Sequence, residues 1–163
     1  MELIPTLKCL RLIIKHKWFV FLAGIKLKVN FWRLLKHDCS KFLLSELPYY
    51  EKQTFESKKG SSEFIKAWTK HQNRNDHHWE YWVPRSGHYL CNPPYPDNEP
   101  IPMPEQCLRE MIADWMGAGK THNKKWPDIN DWTWFENNKD KMRLHKDTRK
   151  LLYKIIDEMR NKV

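Results

Sequence analysis

Lys36-His37-Asp38-Cys39-Ser40-Lys41 is the stretch around which the chain organises. His37 and Asp38 put two good metal ligands on adjacent residues. Asp38 and Lys41 are three apart, so on a helix they share a face. Leu34 and Leu35 precede the stretch, and Phe42, Leu43 and Leu44 follow it. A charged pair in that apolar setting is buried and paired, or bound to something. Three other polar points stand in similar settings: His16, the His71–His78 segment and Asp114. The four segments are expected to converge on one metal site.

Working outward, residues 3–28 read as a long helix with a break at Gly24. Leu10, Ile13, Ile14, Phe19, Val20 and Leu22 cover most of its faces, which predicts a central, largely buried helix. His16 has Leu12, Ile13, Phe19 and Val20 at helical neighbour positions, so it points with the apolar face. A second helix is predicted over about 30–42, with Asn30 as its N-cap. Ser45, Glu46 and Pro48 suggest a turn and a helix through about 56. After the loop at 58–62, Ser61 or Ser62 caps a helix on which Phe64, Trp68 and His71 share one stripe. His71 and His78 share a face if that helix continues. If Asn75-Asp76 ends it, His77 turns inward instead, and the sequence leaves both open.

Residues 83–104 hold seven of the ten prolines and predict a long irregular loop. A helix starts near Pro104, carries Leu108, Met111, Ile112 and Trp115, and is expected to end at Gly117 and Gly119. Asp114 lies on it among apolar residues and needs a partner, with Glu110 one turn earlier on the same side. Residues 120–144 have thin periodicity and read as loops and short turns. A last helix spans about 146–161, with Leu151, Leu152, Ile155, Ile156 and Met159 as its core face. There is no internal repeat and no convincing strand. The expectation is one all-α domain over residues 1–163.

At 163 residues the chain suits a single core, and 40% hydrophobic with 30% charged residues excludes a disordered chain. The formal charge of +9 favours anionic partners: phosphorylated small molecules, nucleotides or nucleic acid. Cys9, Cys39, Cys91 and Cys107 have no C-x-x-C spacing, which excludes a zinc ribbon and fits reduced thiols in a cytoplasmic protein. The apolar run Trp18–Ile25 falls far short of the roughly 20 residues of a membrane span, and no cleavage site follows it.

In order, the ligand set is His16, His37-Asp38, His71, His77 or His78, and Asp114. Imidazole and carboxylate donors suit Mn, Zn, Fe, Co or Ni, as one ion or two. Asp38 can bridge two ions if enough histidines are present, and such a pair can neutralise a phosphoryl transition state.

This order resembles the HD superfamily of metal-dependent phosphohydrolases. His37-Asp38-Cys39-Ser40-Lys41 is similar to its H-D-x-G-K form, with Ser40 where Gly is frequent. Ile112-Ala113-Asp114-Trp115-Met116-Gly117-Ala118 is similar to the late helix that supplies its final Asp. The chain also resembles an uncharacterised family of small bacterial and phage proteins with H-D-x-S-K and H-H-Q-N-R-like motifs. The HD resemblance covers roughly residues 10–120. It implies a helical bundle in which His16, His37, Asp38 and Asp114 bind a first ion, and His71 with His77 or His78 completes a second site. It also implies hydrolysis of a nucleotide or related phosphate ester, with Asp38 at the chemistry and Lys41 contacting a substrate phosphate or pairing with a carboxylate; Arg74 is added as a catalytic candidate by its spacing from His71.

Substrate phosphates need positioned cations and donors. Lys41 is one turn after Asp38. Arg74 is one turn after His71, and its fork can hold a phosphate, with Asn73 and Asn75 flanking it and Lys120 further along the chain. The alternative for Arg74 is a surface pair with Asp76 or Glu80. A competing function is non-catalytic binding of a nucleotide or single-stranded nucleic acid, by stacking on Trp79, Trp82 or Trp126.

Overall fold

The computed structural model describes residues 3–55, 61–84 and 99–161. Among these the chain is all-α. Its helices are α1 (Leu3–Lys26), α2 (Phe31–Lys36), α3 (Leu47–Phe55), α4 (Ser62–Arg74), α5 (Glu105–Asn123), α6 (Thr133–Asn138) and α7 (Lys146–Arg160). Short 3-10 turns run over Cys39–Phe42, Trp79–Trp82 and Lys139–Lys141. Most of the proline-rich stretch expected as a loop, residues 85–98, lies outside the described residues. No described helix is long and apolar enough to cross a membrane.

The frame is α1 packed against α5. One stripe along α1 and the turn after it is buried, Cys9, Ile13, His16, Val20, Ala23 and Leu27, at alternating steps of four and three. That is the spacing a single helix face requires. The expectation that α1 is largely buried is corrected: Ile14, Trp18 and Ile25 are exposed. Off the stripe, Phe19 still meets Trp126 and Phe21 packs against the core, so the exposed face is confined to the remaining apolar positions.

The glycines also differ from the sequence expectation. Gly24 does not break α1, and Gly117 and Gly119 do not end α5. A Cβ at Gly24 would stand 2.2 Å from Leu34 Cδ2, and one at Gly117 would stand 2.8 Å from the backbone nitrogen of Val20. These positions are bare so that α2 and α5 can approach α1 closely. α5 continues to Asn123 and stops at Lys124, which is left-handed at φ 60°. Around this frame, Leu108, Met111, Ile112 and Ala113 of α5 and Leu152, Ile155 and Ile156 of α7 form one continuous core.

Caps follow the sequence. Asn30 Oδ1 accepts from the Trp32 amide at 2.9 Å, and Ser61 Oγ accepts from Phe64 at 3.2 Å. The helix expected through residue 42 instead ends at Lys36. His37 leaves the helix in a turn at φ −46°, ψ 127°, and Asp38 is left-handed at φ 54°, ψ 18°. Such a backbone is uncommon outside Gly, Asn and Asp, and it concentrates at functional sites. The break turns the Asp38 carboxylate inward, where a continuing helix would have carried it around the cylinder.

Candidate metal centre

Asp38 is fully buried, and the other donors gather around its two oxygens. On the Oδ2 side, His16 Nε2 lies at 3.2 Å and His37 Nε2 at 3.4 Å. The same nitrogens lie 2.9 and 3.5 Å from Asp114 Oδ1. On the Oδ1 side, His71 Nε2 lies at 3.2 Å and His77 Nε2 at 3.5 Å, and His78 completes a second group of donors. All seven sequence-predicted ligands are therefore brought together. His77 and His78 both lie among the donors: α4 ends at Arg74, and the turn over Asn75–His78 directs both rings inward.

These separations have a geometric meaning. Donors held about 2.1 Å from one ion stand roughly 3.0–3.4 Å apart along the edges of an octahedron or tetrahedron. Nε2 of His16, His37, His71, His77 and His78, and Oδ1 of Asp38, are buried without a hydrogen-bond partner. Buried polar atoms are otherwise almost always satisfied. Donors this close, unpartnered and sharing one carboxylate, can hold a metal ion. Imidazole and carboxylate donors with no thiolate suit a divalent transition metal.

The opposite edge of each ring fixes which nitrogen faces the centre. His37 Nδ1 lies 3.0 Å from Glu110 Oε1, and His77 Nδ1 lies 3.3 Å from the same oxygen. His71 Nδ1 lies 3.0 Å from Glu46 Oε2. A carboxylate there holds the proton on Nδ1 and leaves the Nε2 lone pair for a metal. Each glutamate is backed by an arginine. Arg33 Nε donates to Glu110 Oε2 at 2.8 Å and its fork also holds Asp76. Arg74 Nη1 donates to Glu46 Oε1 at 2.7 Å and to Ser45 Oγ at 2.9 Å.

The electrostatics follow from burial against charge. Burial opposes the Asp38 charge, but His37 and Lys41 outweigh it and hold its carboxyl well below the usual range. Asp114 is likewise held low by His16 and His37 against burial. Burial raises Glu110, yet His37 and His77 bring it down to about 2. Burial would lower His77, but Asp38 and Glu110 raise it to about 10. Burial and the neighbouring His77 charge push His78 well below its ordinary value. Burial would lower His16 too, but Asp114 and Asp38 raise it.

The expected phosphate-binding residues fare differently. Lys41 Nζ sits 2.5 Å from Asp38 Oδ2 and is part of the centre. Burial disfavours its charge, but Asp38 and Asp114 keep it protonated. Arg74 is corrected: it pairs with neither Asp76 nor Glu80 and does not face the donors. It braces Glu46, behind His71. Asn75 is also in the support layer, donating to Ser40 Oγ at 2.9 Å and to the His71 carbonyl at 2.7 Å. Asn73 is exposed at the end of α4. Lys120 lies on α5. Because α5 runs on past Gly119, its ammonium stands over the rings of Phe19 and Trp126 and donates to the Lys124 carbonyl.

Glu46 and Arg33 were not expected from the sequence, and Glu110 was placed there only as a neighbour of Asp114. The available signal was the histidines themselves: each buried ligand ring needs an acceptor at its second nitrogen. The centre meets solvent through a cavity of about 280 Å³ lined by His78, Asp114, Trp68, Trp79, Trp115 and Trp134.

No curated protein and no solved structure matches the chain. The match to the family of unknown function DUF5662 runs over residues 6–158 and through every residue of the centre, so the protein belongs to DUF5662.

Proposed function

We propose that the protein is a metal-dependent phosphohydrolase acting on a nucleotide or related phosphate ester. The observation that carries the reading is the ring of buried, unpartnered Nε2 atoms around one two-faced carboxylate. The ordered likeness to the HD superfamily in His16, His37-Asp38, the His71–His78 segment and Asp114 supports it. A bound divalent metal supplies Lewis acidity toward a phosphoryl oxygen and makes water a better nucleophile. In this reading Asp38 joins the two halves of the centre through its two oxygens. Lys41 neutralises charge at Oδ2 and stands ready for a phosphoryl oxygen. Asp114 and His78 border the cavity and receive the substrate. Glu110 and Glu46 fix the rings so that no reorientation accompanies the reaction.

Two measurements test this. Elemental analysis of untagged protein should find a stoichiometric transition metal. A panel of nucleotides and simpler phosphate esters, assayed with Mn²⁺ or Co²⁺, should reveal turnover that Asp38→Ala abolishes. Bound metal without turnover anywhere on the panel would leave a metal-binding protein and defeat the hydrolase reading.

A further inference from the structure

A second cavity of about 500 Å³ adjoins the first across Trp115 and Trp134, which line both. Its lining also includes Trp126, Trp132, His122, Asn123, Lys125 and Asp131. Its floor follows α5 from Trp115 to Asn123, beginning one residue after Asp114. Trp134 is 47% exposed and Trp126 37% exposed, although the core offers other apolar partners. Trp126 is not loose: Phe19 meets it edge to face at 5.6 Å, and Lys120 stands 5.9 Å from its ring centre. Trp115 and Trp134 brace each other at 5.4 Å. The cleft is thus a fixed set of flat aromatic walls with carboxylates at its rim, Asp128 and Asp131. Asp128 Oδ1 already accepts from the Asn130 amide at 2.9 Å.

We propose that this cleft is a nucleobase subsite, taking an amine-bearing base of a nucleoside monophosphate whose phosphate lies at the metal centre. The phosphate end of the proposal rests on the phosphohydrolase reading; the base end rests on the cleft alone. Aromatic faces hold any base by stacking. Asp128 and Asp131 can only accept: an exocyclic amine offers them an outward N–H, whereas the one N–H on the edge of uracil lies between two carbonyl oxygens that repel a carboxylate, so amine-bearing bases are favoured over uracil. The shared walls place a bound base beside the cavity that opens on Asp114 and His78.

The test is equilibrium dialysis of the full-length, metal-stripped protein with adenosine, uridine and ribose 5-phosphate. Adenosine should bind saturably, uridine more weakly, and ribose 5-phosphate not at all. Trp134→Ala and Trp126→Ala, both at partly exposed positions, should each weaken adenosine at least about tenfold, the scale of one lost stack. Thermal melts of both variants verify that they remain folded. Asp131→Asn should narrow the preference for adenosine over uridine. Absence of adenosine binding, or binding that survives both tryptophan substitutions, overturns the subsite. Equal binding of uridine overturns the carboxylate assignment. Turnover of ribose 5-phosphate with the kcat/KM of adenosine monophosphate also overturns it, while leaving the hydrolase intact. Adenosine binding with no turnover of either phosphate supports the base subsite and defeats the hydrolase reading alone.

Discussion

The two sides of Asp38 are built differently. On the Oδ2 side, His16 and Asp114 come from the middles of α1 and α5, whose backbones meet at Val20 and Gly117. On the Oδ1 side, His71 comes from the last turn of α4, and His77 and His78 come from the turn beyond it. The first side rests on a helix crossing, to which the turn after α2 adds His37, whereas the second is built entirely from the end of α4 and the turn beyond it. Rigid helices need only close packing to fix a ligand, whereas a turn needs its side chains tied individually.

The most damaging change to both sides is loss of the shared carboxylate. Asp38→Asn should empty the centre of metal altogether, and elemental analysis retaining a full ion would show that the sides do not depend on it. Gly117→Ala should separate them. Its methyl meets Val20 backbone, which cannot rotate away. The helices must part, at a cost of about 1–3 kcal/mol. The His16–Asp114 contact should loosen while the His71 side keeps its ligands. A lower Tm with metal stoichiometry reduced but not abolished is the expected result, and unchanged metal binding would break the argument from the crossing.

The supporting glutamates sharpen the comparison further. Glu110 serves His37 on one side and His77 on the other, whereas Glu46 serves His71 alone. Loss of such an acceptor typically costs 10–100-fold in metal affinity. Glu110→Gln should therefore weaken binding on both sides, and Glu46→Gln on one, as metal titrations would resolve. Arg74→Ala removes only a half-exposed brace of Glu46 and should have a smaller effect than Glu46→Gln.

The mildest probe is pH. His77 is raised to about 10 from an ordinary 6.5. In metal-free protein its contribution to stability is complete below the ordinary value and is lost as pH rises through the folded one. The Tm of stripped protein should fall as pH is raised from about 7 to about 9, and His77→Gln should flatten that fall. Metal-loaded protein should not show it, because ligation replaces the proton. Parallel profiles for the two forms would mean that His77 is not a ligand.

The same contrast explains what could be read in the sequence. His16 and Asp114 sit at helical spacing among apolar residues, so the burial pattern marked them as inward-facing polar groups, and only the full ordered set pointed to a ligand role. His77 and His78 could not be separated, because a turn has no period to say which ring faces in. Glu46 was illegible: in Ser45-Glu46-Leu47-Pro48 it looks like an ordinary helix start, and only His71, 25 residues later, makes it necessary. The glycines misled for a related reason. Glycine ends helices and also lets helices touch, and only the position of Val20 or Leu34 distinguishes the two. Arg74 was read as facing substrate because one turn from His71 fixes a distance along the axis but not the partner, which Glu46 supplies.

The left-handed backbone at Asp38 makes this position answer to two selections at once. One acts on conformation and admits glycine, asparagine or aspartate. The other acts on charge and admits aspartate or glutamate. Only aspartate lies in both sets, so neither a backbone-neutral nor a charge-neutral drift is open to this residue. Asparagine satisfies the first demand and fails the second, which makes Asp38→Asn a purer probe of the metal than alanine, whose methyl adds strain at the same φ.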